Sequence, residues 1–167
     1  RSVLGQGTVA RLSFPAPPDI APTVEEADTG STPPMRLRLL LVDDDPVLLK
    51  ALGDALRLDG HLVTIANGGQ AGIDAFDAAH SGREQFSAVI TDLGMPNIDG
   101  RKVAAEIKAR SPTTPVILLT GWGRGLIADA DIPPHVDQLL SKPPKLRDIR
   151  AALARHCHEA KLRGQAP

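Results

Sequence analysis

The fold is decided by the stretch LRLLLVDDDP, residues 37–46, in which an apolar run ends abruptly in three carboxylates and a proline. Consecutive apolar residues such as Leu39 to Val42 are typical of a strand that is buried on both faces of a parallel sheet. Similar runs end at Asp92, at Thr120 and shortly before Lys142. Ligands of open α/β sheets bind outside the carboxyl ends of the strands. The sequence therefore predicts a sheet with polar and charged side chains gathered at the carboxyl ends of its strands.

Strand-like and helix-like segments alternate along the rest of the chain. Strands are predicted at residues 37–42, 61–66, 88–91, 115–119 and 136–140. Helices are predicted at residues 46–58 and 69–80, after Gly100, and from Leu146 onward, with only a short or frayed helix in the Gly- and Pro-rich residues 121–134. This order predicts an α/β fold, a doubly wound five-stranded parallel sheet of the flavodoxin-like type, with the βα unit repeated five times.

The first helix carries start and stop signals in its sequence. Asp45 can accept hydrogen bonds from the free amides at the helix start, and Pro46 suits the first helical position because no donor is needed there. Gly60 is expected to end the helix. Because capping explains Asp45 fully, we expect this residue to be a helix cap and not a metal ligand.

Proline and acidic residues set apart the segment before the first strand. Residues 16–36 are predicted to form a proline-rich linker, since they offer little that could be buried. The linker separates an amino-terminal segment, residues 1–15, from one folded domain at residues 37–158. Residues 159–167 are predicted to be a disordered tail.

The bulk composition excludes several kinds of partner. The 167 residues carry 19 basic and 20 acidic side chains, so no broad charged surface is available for nucleic acid or an anionic membrane. Three Phe, one Trp and no Tyr argue against base stacking. Cys157 is the single cysteine, and no apolar stretch is long enough to span a bilayer. We expect a cytoplasmic protein that contacts neither nucleic acid nor membrane.

The acidic residues at the strand ends predict a phosphate-handling site. Asp43, Asp44 and Asp92 should converge where the strand order reverses, and their charges would then repel one another. Mg²⁺ resolves this repulsion best, because it binds a few carboxylates and keeps substrate oxygens in its shell. Asp92 could then act as a nucleophile on phosphorus, while Thr120 and Lys142 stabilise charge on the phosphoryl oxygens.

These motifs resemble the receiver domain of two-component response regulators over residues 37–158. The resemblance rests on five motifs, which are Asp43-Asp44, Asp92 with Met95-Pro96, Asp99-Gly100, Thr120 and Lys142-Pro143. It implies that Asp92 accepts a phosphoryl group from the phosphohistidine of a histidine kinase. It also implies that Asp43, Asp44, Asp92 and the backbone carbonyl of Gly94 bind Mg²⁺, and that Thr120 and Lys142 sense the phosphoryl group. Receivers usually have a cis peptide at the Lys-Pro step, so we predict a cis bond before Pro143.

Three features depart from the common receiver pattern. Leu139 stands three residues before the lysine, where receivers that drive a separate output commonly carry Tyr or Phe, so an aromatic swing coupled to Thr120 is unavailable. The composition of residues 121–134, which usually form the fourth helix, suggests a reduced output face. Trp122 lies two residues beyond Thr120, and we hypothesise that it hinders hydrolysis of the aspartyl phosphate; an exposed interface anchor is the equal alternative.

A second, shorter resemblance lies at the amino terminus. Residues 2–15 look like the closing strand of a histidine-kinase ATP-binding domain, whose last glycine box reads Gly-x-Gly-Thr, here Gly5-Gln6-Gly7-Thr8. Followed by a linker and a receiver, this segment implies the carboxyl-terminal part of a hybrid sensor histidine kinase. Its partners would be a phosphohistidine-bearing domain, in the same or another chain, and a histidine phosphotransfer protein. The domain would act mainly as a phosphoacceptor switch.

Other functions stay open at this point. Asp43-Asp44-Asp45-Pro46-Val47 fits the Asp-x-Asp-x-Val pattern of haloacid-dehalogenase-type phosphohydrolases, which makes Asp43 the nucleophile. That interpretation lacks an acidic pair after Lys142 and leaves Asp92 with its turn unexplained. A receiver-like protein-binding module that never meets phosphate is a third possibility. A flavin site is less favoured, because the acidic loop after the first strand offers no phosphate cradle.

Overall fold

The computed structural model describes residues 2–3, 7–8, 36–82, 84–121 and 132–164, and the side chains of the last helix as far as Cys157. The chain divides into two compact units, Arg1–Pro33 and Pro34–Pro167. In the first unit, Ser2–Val3 pairs with Gly7–Thr8 as two short antiparallel strands. The predicted linker lies almost wholly outside the described residues, so that prediction, like the identity of residues 1–15, stays a prediction.

The second unit alternates strands and helices. Its strands are β1 (Arg38–Asp43), β2 (Leu62–Asn67), β3 (Ala88–Asp92), β4 (Val116–Thr120) and β5 (Gln138–Ser141). Its helices are α1 (Pro46–Leu58), α2 (Gly69–Ser81), α3 (Gly100–Arg110) and α4 (Leu146–Gly164). The short helix predicted within residues 121–134 falls mainly on residues 122–131, which lie outside the described part of the chain.

The five strands form one parallel sheet in the order β2-β1-β3-β4-β5. This is the flavodoxin-like order, whose direction reverses between β1 and β3. The predicted doubly wound fold is therefore confirmed. The reversal matters for function, because the loops after β1 and β3 lead to helices on opposite faces of the sheet and leave a crevice between them.

Helix α1 shows how local sequence signals set an element boundary. The side chain of Asp45 accepts hydrogen bonds from the amides of Val47 and Leu48, at 2.8 and 3.3 Å, which confirms its role as the cap. At the other end, the amide of Gly60 donates to Arg57 and the amide of His61 donates to Leu56. This paired pattern ends many helices, and it requires the positive φ of 88° that Gly60 adopts at little cost.

The sheet is covered on both faces by aliphatic cores. One core packs α1 and α4 against the sheet and is built from residues such as Leu39, Leu56, Ile117 and Ile149. The other packs α2 and α3 against the opposite face, with Val42, Phe76, Val89 and Ile107 among its members. Cys157 is buried in the first core, and this burial raises the pKa of its thiol to about 11. It is therefore a packing residue of this core.

The carboxyl terminus differs from the prediction. Helix α4 continues to Gly164, so the tail predicted at residues 159–167 is wrong for most of its length. The physical reason is local, because residues 159–163 read EAKLR and all five are strong helix formers. Helix α4 therefore extends beyond the predicted domain boundary at residue 158.

Candidate functional site

Two adjacent central strands carry buried carboxylates at their ends. Asp43 closes β1 with 1% exposure and Asp92 closes β3 with 6%, while Asp44, one residue beyond β1, is exposed. Because β1 and β3 are hydrogen-bonded neighbours, both strands end at the same place. Oxygens of Asp43, Asp44 and Asp92 lie within 4.8 Å of one another. The structure thus brings together the three acidic residues that the sequence predicts to converge.

Lys142, just beyond β5, places its ammonium between two of these carboxylates. Its Nζ lies 2.7 Å from Oδ2 of Asp43 and 2.9 Å from Oδ1 of Asp92. Burial by itself lowers the pKa of Lys142, but the hydrogen bonds to Asp43 and Asp92 and the negative charges of these two residues together outweigh that effect, so the net shift of the pKa is upward. The ammonium therefore stays charged near neutral pH and offsets part of the carboxylate repulsion.

Thr120 is tied to Lys142 through the main chain. Thr120 is the last residue of β4 and is 1% exposed. Its backbone carbonyl accepts a 2.7 Å hydrogen bond from the amide of Lys142. The register pairs Asp92 with Leu119, next to Thr120, and pairs Thr120 with Ser141. Asp92, Thr120 and Ser141 therefore end three neighbouring strands at the same edge of the sheet. The peptide bond between Lys142 and Pro143 is cis, which confirms that prediction.

The loop after β3 is held tightly against the sheet. The amide of Leu93 donates to Leu119 and the amide of Gly100 donates to Leu93. Gly100 lies so close to the backbone carbonyl of Asp92 that a Cβ atom there would overlap it, which explains the glycine. A Cβ atom at Gly94 would lie 3.8 Å from Oδ2 of Asp92, so Gly94 borders that carboxylate.

The donor set fits a hard divalent cation. The candidate ligand atoms on the side chains are carboxylate oxygens, which Mg²⁺ prefers, and they are close enough together to share one ion. Asp45 does not belong to this group, because its side chain caps α1. The exposure of Asp44 beside the two buried residues leaves one side of the cluster open to solvent.

A protein-family model described as the response regulator receiver domain matches residues 39–154. The chain belongs to that family. Receiver domains generally bind Mg²⁺ at an acidic pocket and interact with kinases or phosphotransfer partners. The structure has an acidic cluster of its own at the carboxyl ends of β1 and β3.

Individual relatives support the assignment. The response regulator FleR of Pseudomonas aeruginosa is 34% identical over 122 residues, which cover 73% of this chain and 25% of FleR. A receiver domain from Clostridium thermocellum is 28% identical with a TM-score of 0.67, covering 75% of this chain and 98% of that one. TrrA from Thermotoga maritima, solved with Mg²⁺ and BeF, is 25% identical with a TM-score of 0.62, covering 73% of this chain and 99% of TrrA. The chain thus spans about a quarter of FleR.

One feature of the site was beyond the sequence prediction. Lys142 was expected to face a phosphoryl oxygen, and the structure shows it paired with Asp43 and Asp92. The signal for this pairing was the clustering of three acids near one lysine, since close carboxylates need a counter-charge. Trp122 lies outside the described residues, so its effect on hydrolysis stays a hypothesis.

Among the helices of the described part, none is both long and apolar enough to cross a membrane.

Proposed function

We propose that this receiver domain accepts a phosphoryl group on Asp92, from a phosphohistidine and with Mg²⁺ as cofactor. The observation that carries the proposal is the gathering of Asp43, Asp44 and Asp92 within 4.8 Å, with the ammonium of Lys142 against two of them. Phosphoryl transfer depends mainly on positioning and on neutralising charge at the phosphoryl oxygens. An acidic cluster with a lysine at its edge meets both needs.

The contacts of the two buried carboxylates favour Asp92 as the acceptor. Both oxygens of Asp43 accept hydrogen bonds, Oδ1 from the amide of Asp45 at 2.9 Å and Oδ2 from Lys142 at 2.7 Å. Asp92 contacts Lys142 through Oδ1, whereas its Oδ2 is bordered by the small residue Gly94. An attacking carboxylate oxygen needs an open path to phosphorus, and a glycine at that border leaves room for one.

The remaining residues divide the neutralisation of charge between them. Asp43, Asp44 and Asp92, together with the backbone carbonyl of Gly94, would hold Mg²⁺, which supplies positive charge to a phosphoryl oxygen when bound. Lys142 exchanges its contact with a carboxylate for a second phosphoryl oxygen. The hydroxyl of Thr120, at the end of the neighbouring strand, donates to a third. These two residues thereby link the phosphorylated state to the positions of β4 and β5.

The wider context that we propose is a hybrid histidine kinase. It is supported by Gly5-Gln6-Gly7-Thr8, of which Gly7–Thr8 forms a strand with Ser2–Val3. The partners would be a phosphohistidine domain of the same or another kinase and a histidine phosphotransfer protein. Because such a phosphohistidine is formed from ATP, the domain would work in the cytoplasm. The curated relatives are response regulators, so a free-standing regulator is the competing context.

Phosphorylation with a small donor tests the proposal directly. The whole chain is incubated with Mg²⁺ and acetyl phosphate, and the modified residue is located by mass spectrometry; beryllofluoride binding is followed in parallel. We expect one phosphoryl group on Asp92, none in Asp92→Asn, and normal labelling in Asp54→Asn, whose exposed side chain pairs only with Lys50 and Arg57 among the described residues. Labelling that survives Asp92→Asn contradicts the proposal.

The same experiment separates the alternatives. Labelling at Asp43 would support the haloacid-dehalogenase-type phosphohydrolase, although the hydrogen bond that each Asp43 oxygen already accepts counts against Asp43 as the nucleophile. No response to either reagent would favour a receiver-like module that binds proteins without phosphorylation. Omission of Mg²⁺ should abolish the labelling, and labelling that is unaffected by chelation would remove Mg²⁺ from the proposal.

A further inference from the structure

Asp45 joins helix α1 to the acidic site through two different groups. Its side-chain Oδ1 accepts hydrogen bonds from the amides of Val47 and Leu48 at 2.8 and 3.3 Å. Its own backbone amide donates to Oδ1 of Asp43 at 2.9 Å. We propose that Asp45 is a positioning residue for the candidate cation site, and that its cap fixes the amide that orients the carboxylate of Asp43. This inference rests on the proposed function.

The backbone around Asp45 explains how the cap acts on its neighbour. Asp45 is extended, with φ −91° and ψ 106°, and Pro46 directly follows as the first residue of α1. The side chain of Asp45 holds the start of the helix, so the peptide unit that bears the Asp45 amide is fixed relative to α1. Without the cap, this turn can rotate, and the amide then leaves Oδ1 of Asp43.

The carboxylate of Asp43 is held by donors from two separate parts of the fold. The amide of Asp45 holds Oδ1 from the α1 side, and Lys142 holds Oδ2 from the β5 side. When Lys142 exchanges its contact for a phosphoryl oxygen, the amide of Asp45 is the remaining one of these two donors. Groups that orient a side chain which binds a metal ion raise the affinity of the site for that ion, because the side chain loses less conformational freedom when the ion binds.

The charge of Asp45 must be separated from its capping role. Asp45 is exposed and lies next to Asp44, so removing its negative charge alone weakens the attraction for a cation. Asp45→Asn removes the charge and keeps a side-chain oxygen of nearly equal capping strength, whereas Asp45→Ala removes both. Asp99 offers a matched control, since it caps α3 by accepting from the amide of Lys102 at 2.9 Å.

The test measures Mg²⁺ affinity and local protection in the whole chain. MgCl₂ is titrated into the wild type, Asp45→Ala, Asp45→Asn and Asp99→Ala, with binding followed by two-dimensional NMR. Amide hydrogen exchange at Leu48 is measured without metal. Altered outer contacts of metal ligands typically cost about 10–100-fold in affinity, so we expect roughly threefold to tenfold weaker binding in Asp45→Ala, where the amide is loosened and not removed. Asp45→Asn and Asp99→Ala should remain within about twofold of the wild type.

The outcomes each decide the inference. Faster exchange at Leu48 together with weaker Mg²⁺ binding in Asp45→Ala alone supports it. Equal losses of affinity in Asp45→Ala and Asp45→Asn would assign the effect to charge and overturn it, and wild-type affinity in Asp45→Ala would do the same. If the wild type binds Mg²⁺ and is labelled on Asp92, such a failure concerns Asp45 alone. If the wild type binds no Mg²⁺, the proposed function and the inference fail together.

Discussion

Replacement of Lys142 by methionine removes the positive charge that lies between the buried carboxylates of Asp43 and Asp92. The ammonium contacts them at 2.7 and 2.9 Å, and the two acidic side chains are only 1% and 8% exposed. Methionine keeps an unbranched stem of similar length, so packing around the site is largely preserved. The substitution therefore isolates the effect of the charge on the metal-free fold.

The expected magnitude follows from the separations. Two unit charges 4.8 Å apart, the upper limit for the carboxylate oxygens here, repel by about 3.5 kcal/mol at an effective dielectric constant of about 20. The side chain of Lys142 is 23% exposed, so water screens part of this repulsion in the variant. We expect Lys142→Met to lower the free energy of unfolding by about 2 kcal/mol without Mg²⁺, and the melting temperature by roughly 5–10 °C.

Urea denaturation with and without Mg²⁺ provides the assay. The cation replaces the missing positive charge, so Mg²⁺ should stabilise Lys142→Met more than the wild type, in which the ammonium competes for the same oxygens. Lys50→Met is the matched control, because Lys50 is 80% exposed and pairs with Asp54 on the surface of α1. Its effect should stay below about 0.5 kcal/mol and should not depend on Mg²⁺.

Two results would refute this reasoning about Lys142. The first is a Lys142→Met variant that is as stable as the wild type without metal, which would mean that solvent already screens the repulsion between the carboxylates. The second is a loss of stability that is the same with and without Mg²⁺, which would point to packing and not to charge. A loss of similar size in Lys50→Met would show that the effect is not specific to the site.

Two further substitutions test the packing and the pH dependence of the domain. A Cβ atom at Gly72 would lie 2.7 Å from Cγ1 of the buried Val42, so Gly72→Ala should lower the free energy of unfolding by about 1–2 kcal/mol although alanine favours a helix more than glycine does. In urea denaturation, the double variant Gly72→Ala with Val42→Ala should lose less stability than the two single variants added together, and additive losses would contradict the contact. The hydrogen bond from Arg150 lowers the pKa of Asp59 below 3.8, so its stabilisation is present above that pH and is lost as the pH falls through the lowered pKa. Arg150→Ala should cost at most about 1 kcal/mol at pH 7 after allowance for solvent screening, and a difference from the wild type that persists unchanged at low pH would refute this origin.

Helix α1 shows what the sequence can predict and where it falls short. Its bounds at Pro46 and Leu58 agree with the prediction, because the capping signals lie within the segment itself. Its buried face does not follow from its apolar residues alone, since Leu48 and Leu49 are adjacent leucines but only Leu49 is fully buried. The apolar residues of this helix are compatible with more than one buried face, and the packing against the sheet determines which face is buried.

The site divides in the same way. That Asp43, Asp92 and Lys142 lie at one end of the sheet follows from parallel topology alone, because each follows an apolar strand. That one ammonium bridges two carboxylates depends on rotamers and on distances of a few tenths of an ångström, which periodicity does not encode. The hydrogen bond from the backbone amide of Asp45 to Asp43 cannot be predicted from the sequence pattern either, because the identity of residue 45 does not determine where its amide points.

The choice of lysine at the edge of the acidic cluster has a physical rationale. Carboxylates lie close together at the ends of β1 and β3, so the metal-free fold needs a counter-charge, yet the proposed phosphorylation needs that charge to move. An arginine fork would bind a carboxylate through two parallel hydrogen bonds and resist exchange. The ammonium of Lys142 is a point charge on a flexible stem and remains 23% exposed, so it can pass from a carboxylate to a phosphoryl oxygen while its backbone stays bonded to Thr120. The same contact that stabilises the resting domain is therefore the one that a phosphoryl group on Asp92 would redirect.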